Sequence, residues 1–167
     1  MLDELYSLKD KVALITGGSR GIGQAIALAF AEAGADVVVS SRNRRPPELE
    51  ETAERIRAMG RKALAVPAHV GKKGDVAVLV QKTLDAFGRI DILVNNAGGN
   101  PVLSTMVDLE EDAFEKVMEV NLKGAFLVSK AVAAVMIKQA GGRIINVSSV
   151  SGLRARNDRT GAYCISK

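Results

Sequence analysis

The chain has no tryptophan, one histidine and one cysteine, and only 4% of its residues are aromatic. The lone Cys164 excludes an internal disulfide framework and fits a reducing compartment. It invites a catalytic-thiol reading, but a small residue filling a helix position is the plainer one. With a single histidine and no acid-rich cluster, no metal site is expected, and His69 reads as a loop residue rather than a ligand. The formal charge is a modest +4, and the one tight basic run is Arg42-Asn43-Arg44-Arg45. Without stacking aromatics, that is not the footprint of a nucleic-acid binder. Residues 1–10 are polar and mixed in charge, unlike a secretory leader. The most apolar stretch, 120–137, is interrupted by Asn121, Lys123 and Lys130, so no membrane span is expected. Composition therefore points to a cytoplasmic protein, and 167 residues with 47% hydrophobic content suit one domain with a real core.

What is present is alternation. Short β-branched runs at 12–16, 37–41, 63–67, 90–95 and 143–148 are separated by longer stretches of helical periodicity. The first such stretch, 21–33, places Ile22, Ala25, Ile26, Ala29, Phe30 and Ala33 on one face, and Gly34 ends it. Helices follow at 48–59, closed by Gly60, and at 75–87, closed by Gly88. Asp108 and Glu111 resemble a capping box opening a helical region that runs toward Gln139, with Asn121 breaking its apolar face. Strand-then-helix repetition predicts a parallel sheet with right-handed crossovers and helices on both faces. The expected fold is a single α/β domain over 1–167, a Rossmann-type doubly wound sheet in three α/β/α layers. The sheet's last helix would start near Ala162 and have barely more than one turn before Lys167, too little to hold itself. The expectation is of a domain that continues past the fifth strand.

The first strand runs into Gly17-Gly18-Ser19-Arg20-Gly21-Ile22-Gly23, which opens a helix. Such a turn aims backbone N–H groups and the positive helix end at phosphates. Its glycines, Gly17, Gly21 and Gly23, follow G-x-x-x-G-x-G rather than G-x-G-x-x-G. A Walker A loop is excluded, because Gln24-Ala25 stand where Lys and Ser/Thr would have to be. A dinucleotide is the expected ligand. An NAD site carries a carboxylate at the end of the second strand; here the strand ends Ser40-Ser41-Arg42. Arg42, with Arg20 as a second candidate, suits a 2′-phosphate through its forked donors, so NADPH/NADP is favoured over NADH.

Tyr163 and Lys167 lie four residues apart, on one face if the segment is helical, with about 6 Å of rise between them. An ammonium roughly 5 Å from a phenolate stabilises it by about 3 kcal/mol at an effective dielectric near 20. That suits the pair to proton transfer near neutrality.

With Thr16-Gly17-Gly18-Ser19-Arg20-Gly21-Ile22-Gly23, Asn95-Asn96-Ala97-Gly98, Asn121 in Val-Asn-Leu-Lys-Gly, and Ser149 ahead of Tyr163-x-x-x-Lys167, the chain resembles the short-chain dehydrogenase/reductase family. Ala68-His69-Val70-Gly71-Lys72 and Gly99-Asn100-Pro101 resemble its NADPH-dependent carbonyl and retinal reductases, while 3-oxoacyl-thioester reductases share most of the motifs. The resemblance implies that Tyr163 exchanges the proton and that Lys167 binds the nicotinamide ribose and stabilises the phenolate. It further implies that Ser149 holds the substrate carbonyl and that Asn121 anchors a relay water. Cofactor contacts are implied for Gly17, Ser19, Arg20, Gly21, Ile22, Gly23, Arg42, His69, Val70, Asn96, Ala97, Gly98, Tyr163 and Lys167. A ketone or aldehyde is the implied substrate, or its alcohol in reverse, and a homodimer or homotetramer the implied assembly. Arg154, Arg156 and Arg159 raise the idea of an anionic substrate, with solvent or subunit contacts as the duller alternative. Each residue alone has an ordinary structural explanation, and a catalytically silent NADP-binding module is the alternative of another class.

Overall fold

The protein is described by a computed structural model over residues 6–42, 46–154 and 158–167; Asn43, Arg44, Arg45 and Arg156, singled out above, lie outside them. The five β-branched runs form strands β1 (Val12–Thr16), β2 (Asp36–Ser41), β3 (Ala63–Pro67), β4 (Ile92–Asn95) and β5 (Arg143–Asn146). All pair in parallel, in the order β3-β2-β1-β4-β5. Parallel neighbours need crossovers, and helices supply them: α1 (Gly21–Glu32), α2 (Pro46–Ala58), α3 (Lys73–Phe87), α4 (Glu111–Met118), α5 (Gly124–Lys138) and the short α6 (Gly161–Ser166).

Alternation along each strand sorts the core into two halves. Ala13, Ile15, Val37, Val39, Ile92 and Val94 pack on Ala27 and Ala31 of α1 and on Leu49, Ala53 and Ile56 of α2. Leu14, Val38, Val66 and Leu93 face Val76 and Leu79 of α3 and Val128, Val132 and Met136 of α5. A sheet covered on both faces explains why the strands read as unbroken apolar runs. Burying each Leu or Ile contributes about 1.5–3 kcal/mol. This is the expected three-layer, doubly wound Rossmann-type arrangement. β3 and β5 are the two edges of the sheet; among the described residues β5 pairs only with β4, and its four residues are exposed.

The long helical region departs from the sequence reading. It starts at Glu111, because Asp108 is held in a preceding turn where its N–H donates to Thr105 Oγ1 at 3.2 Å. It is then interrupted by a π-helical turn, Glu119–Lys123, with Asn121 buried at its centre. One widened turn shifts the helix phase and keeps Val117, Asn121, Gly124, Val128, Val132 and Met136 all on the inner side. By length and composition alone, the 28-residue run Glu111–Lys138 is apolar enough to cross a membrane. Here its inner face joins the core beside α3 and the sheet.

Candidate active site

Strand order reverses between β1 and β4, so the crossovers leaving them run to opposite sides and open a crevice beyond their carboxyl ends. A cleft of about 670 Å³ lies there, within the range of small-molecule sites. Gly17, Ser19 through Gly23, Arg42, Val70, the 96–98 segment, Tyr163 and Lys167 all line it. Residues separated by most of the chain thus share one wall.

The glycine turn is clamped from β4. Asn96 Nδ2 donates to the carbonyls of Thr16 at 3.0 Å and Gly17 at 3.2 Å. The N–H groups of Asn96 and Ala97 donate to Thr16 Oγ1, which in turn donates to the Val94 carbonyl at 3.2 Å. Thr16 is 1% exposed, so these bonds work in a low-dielectric setting. A Cβ on Gly23 would collide with the Gly17 carbonyl oxygen and Asn96 Nδ2, so the helix can approach the turn this closely only without a side chain. The first turn of α1 therefore opens directly onto the cleft.

Arg20 and Arg42 both reach this wall, and so does Glu48 from the first turn of α2. Glu48 was not foreseen; it sits six residues beyond Arg42, and only the docking of α2 brings it back. His69 does not line the cleft. Its Nδ1 accepts from the Gly71 N–H at 3.2 Å and its own N–H donates to Asp75 Oδ2 at 2.9 Å, which binds it into the turn before α3. Neither Arg154 nor Arg159 lines the cleft.

Tyr163 and Lys167 lie on α6 and at its end, with Lys167 Nζ 5.8 Å from the tyrosine ring centroid. Lys167 Nζ donates to the Val147 carbonyl at 3.1 Å. Burial lowers the Lys167 pKa from the ordinary lysine value, since desolvation disfavours the ammonium. A Cβ on Gly98 would stand 3.1 Å from both Lys167 Nζ and Asn121 Oδ1, so glycine there leaves room for those groups to draw together. Asn121 is 7% exposed and stands behind the cleft wall rather than on it. Its Oδ1 accepts from the Gly99 N–H at 2.9 Å, and its Nδ2 donates to the Gly99 carbonyl at 3.0 Å and to Ser166 Oγ at 2.8 Å.

Of the two adjacent serines, Ser148 lines the cleft and donates to the Lys167 carbonyl at 2.8 Å. Ser149, the residue singled out by sequence, caps a short 3₁₀ turn (Val150–Gly152), its Oγ accepting from the Ser151 N–H at 3.1 Å. Its hydroxyl proton is left for another acceptor. Chemically, the assembled cleft offers backbone donors and arginines for phosphates at one end, and a phenol beside a partly desolvated amine at the other.

Known proteins share this fold. The family model described as short chain dehydrogenase matches residues 11–167. The chain is 46% identical over 150 residues to a 3-oxoacyl-[acyl-carrier-protein] reductase of Synechocystis sp., covering 89% of this chain and 60% of that one. A short-chain type dehydrogenase/reductase from Mycobacterium marinum superposes with a TM-score of 0.94 at 37% identity, covering 100% of this chain and 67% of that one. NAD+-bound xylitol dehydrogenase superposes with a TM-score of 0.89 at 36% identity, covering 95% of this chain and 60% of that one. The chain spans 56–63% of the length of the first curated relatives it matches. With its glycine turn, its Asn-Asn-Ala-Gly clamp and its Tyr163–Lys167 pair in one cleft, the chain belongs to the short-chain dehydrogenase/reductase family of oxidoreductases.

Proposed function

We propose that the chain carries the cofactor and proton-transfer machinery of an NADPH-dependent reductase acting on a ketone or aldehyde. The observation that carries this reading is the meeting of the glycine turn and the Tyr163–Lys167 pair on a single cleft. The cradle fits a dinucleotide: it is a turn a Cβ would fill, opening a helix N-terminus, with Arg20 and Arg42 beside it. Gly17, Ser19, Gly21, Ile22 and Gly23 would hold the pyrophosphate half, Val70 and the 96–98 segment the middle, and Lys167 the nicotinamide ribose. Arg42, aided by Arg20, favours a 2′-phosphate over a bare hydroxyl. When bound, the reduced nicotinamide supplies a hydride.

The chain's own residues do the rest. Tyr163 gives its phenolic proton to the oxygen of the carbonyl as that oxygen gains negative charge. Lys167, held by the Val147 carbonyl, stabilises the phenolate this leaves. Ser149, next to the cleft-lining Ser148, is the proposed donor to the same oxygen, an interaction that strengthens as charge grows there. Asn121 fixes the Gly99 backbone beside the Lys167 amine, and the proposal gives it the anchoring of a water through which the proton is restored. A 3-oxoacyl thioester is the second substrate reading, supported by the similarity to the Synechocystis reductase. Self-association through the long helical run 111–138 and α6 is part of the proposal, supported by exposed Leu122 in the π turn and exposed Phe126 on α5.

The test is to follow NADPH absorbance on addition of a panel of ketones, aldehydes and 3-oxoacyl thioesters. Turnover that disappears in Tyr163→Phe, with NADPH affinity within about threefold of wild type, is the expected result. Undiminished turnover in Tyr163→Phe sinks the assignment, and cofactor binding without turnover of any carbonyl favours the silent module.

A further inference from the structure

Helix α6 carries Tyr163 and leads to Lys167. Side-chain bonds to the rest of the protein help set the angle at which the phenol faces the cleft. Three such bonds stand out among the described residues. Ser148 Oγ donates to the Lys167 carbonyl in an exposed setting, and Lys167 Nζ donates to the Val147 carbonyl in a half-buried one. The third is buried: Asn121 Nδ2 donates to Ser166 Oγ at 2.8 Å. Ser166 is 6% exposed, and its hydroxyl passes its own proton on to the Tyr163 carbonyl at 2.8 Å.

The bonds form one directed chain, from the Asn121 amide through the Ser166 hydroxyl to the tyrosine's backbone. The far end of the chain is fixed too, because Asn121 grips both the N–H and the carbonyl of Gly99. The π turn is what brings the Asn121 side chain to this point, in contact with α6 and the segment beyond β4 at once. Buried bonds in series polarise one another, and breaking one strands a donor and an acceptor away from water.

We infer that Ser166 is a positioning residue for proton transfer: its hydroxyl locks α6 to the π turn at Asn121 and so fixes the angle of Tyr163 and the approach of Lys167. This rests on the reading that Tyr163 and Lys167 are the reacting pair. The role belongs to the hydroxyl, not to the volume of the side chain. Ser166→Thr, which keeps the hydroxyl but adds a methyl to a buried site, then stays closer to wild type than Ser166→Ala, which keeps helix propensity and removes only an oxygen.

The experiment has two arms on the full chain. In the first, 15N spectra follow solvent exchange of the Asn121 side-chain amide, identified by its loss in Asn121→Asp. Exchange rises about tenfold or more in Ser166→Ala and stays near wild type in Ser166→Thr, as expected for loss of one buried bond. In the second, kcat for carbonyl reduction falls about tenfold in Ser166→Ala, while the KM for NADPH stays within about twofold. Ser166→Thr recovers most of that loss. Unchanged amide exchange in Ser166→Ala overturns the inference, as does a Ser166→Thr variant no better than Ser166→Ala in either arm. If wild type reduces no carbonyl, the reductase proposal fails by itself, and the exchange arm still decides whether Ser166 makes the lock. Should Ser166→Ala not fold, Ser166→Cys, similar in size but a weak donor, is read in the same two ways.

Discussion

Replacing Gly23 by alanine tests whether the cleft depends on the contact between the glycine turn and α1. A Cβ there would overlap the Gly17 carbonyl oxygen and Asn96 Nδ2 and lie 2.8 Å from the Gly17 carbonyl carbon. Two of these atoms are backbone, so no rotamer change relieves the overlap. The turn must lift off α1, and Asn96 then loses its bonds to Thr16 and Gly17. Two hydrogen bonds at about 1 kcal/mol each, with overpacking of roughly 1–3 kcal/mol, place the cost at about 3–5 kcal/mol. Gly21 is the internal control. It has φ +58°, but its added Cβ meets no atom within 4 Å. Gly21→Ala therefore carries only the left-handed backbone penalty of about 1–2 kcal/mol, and Gly21→Asn less. Urea unfolding gives the stability order, and fluorescence titration with NADPH gives the binding order. Both should run wild type, Gly21→Asn, Gly21→Ala, Gly23→Ala. If Gly23→Ala proves no more damaging than Gly21→Ala, close approach is not what the turn requires, and the account of the cradle is wrong.

Two further outcomes follow from charge. Arg42→Ala should weaken NADPH binding about tenfold and leave NADH binding within about twofold, because a charged hydrogen bond to phosphate is lost; equal losses for both cofactors would remove Arg42 from the 2′-phosphate site. At the opposite end of β4, burial tends to raise the Asp91 pKa. Its hydrogen bonds from Arg89 and from the Val12 N–H outweigh that and hold it below the usual carboxylate value. The native value is thus depressed, so Asp91 contributes stability that is present above pH 3.8 and lost as pH falls through its folded value. Arg89→Met should move the acid limb of the thermal stability curve to higher pH, and an unmoved limb counts against the pairing.

Much of this protein was legible in its residues because much of it is governed by local rules. The strands at 12–16 and 63–67 have the bounds their β-branched runs suggest, and α3 stops at Gly88, which adopts φ +73°. The glycine turn and the Tyr163–Lys167 spacing announce themselves because they are short and contiguous. The clamp of Asn96 on Thr16 reaches across about eighty positions, and periodicity carries no trace of it. Glu48 joins the cleft, and Ser148 lines it where Ser149 does not, through the packing of α2 and the course of the chain after β5. The break in helical periodicity at Asn121 was visible, but its form as a π turn was not. That turn places a buried amide where it bonds Gly99 and Ser166, and those partners lie 22 positions before it and 45 after. Sequence by itself determined which segments are strand, which are helix and which chemical groups are on hand, because backbone sterics and apolar period act over a few residues. Which of those groups meet was decided by tertiary structure alone, because buried polar atoms must find partners and the folded sheet chooses who stands near them.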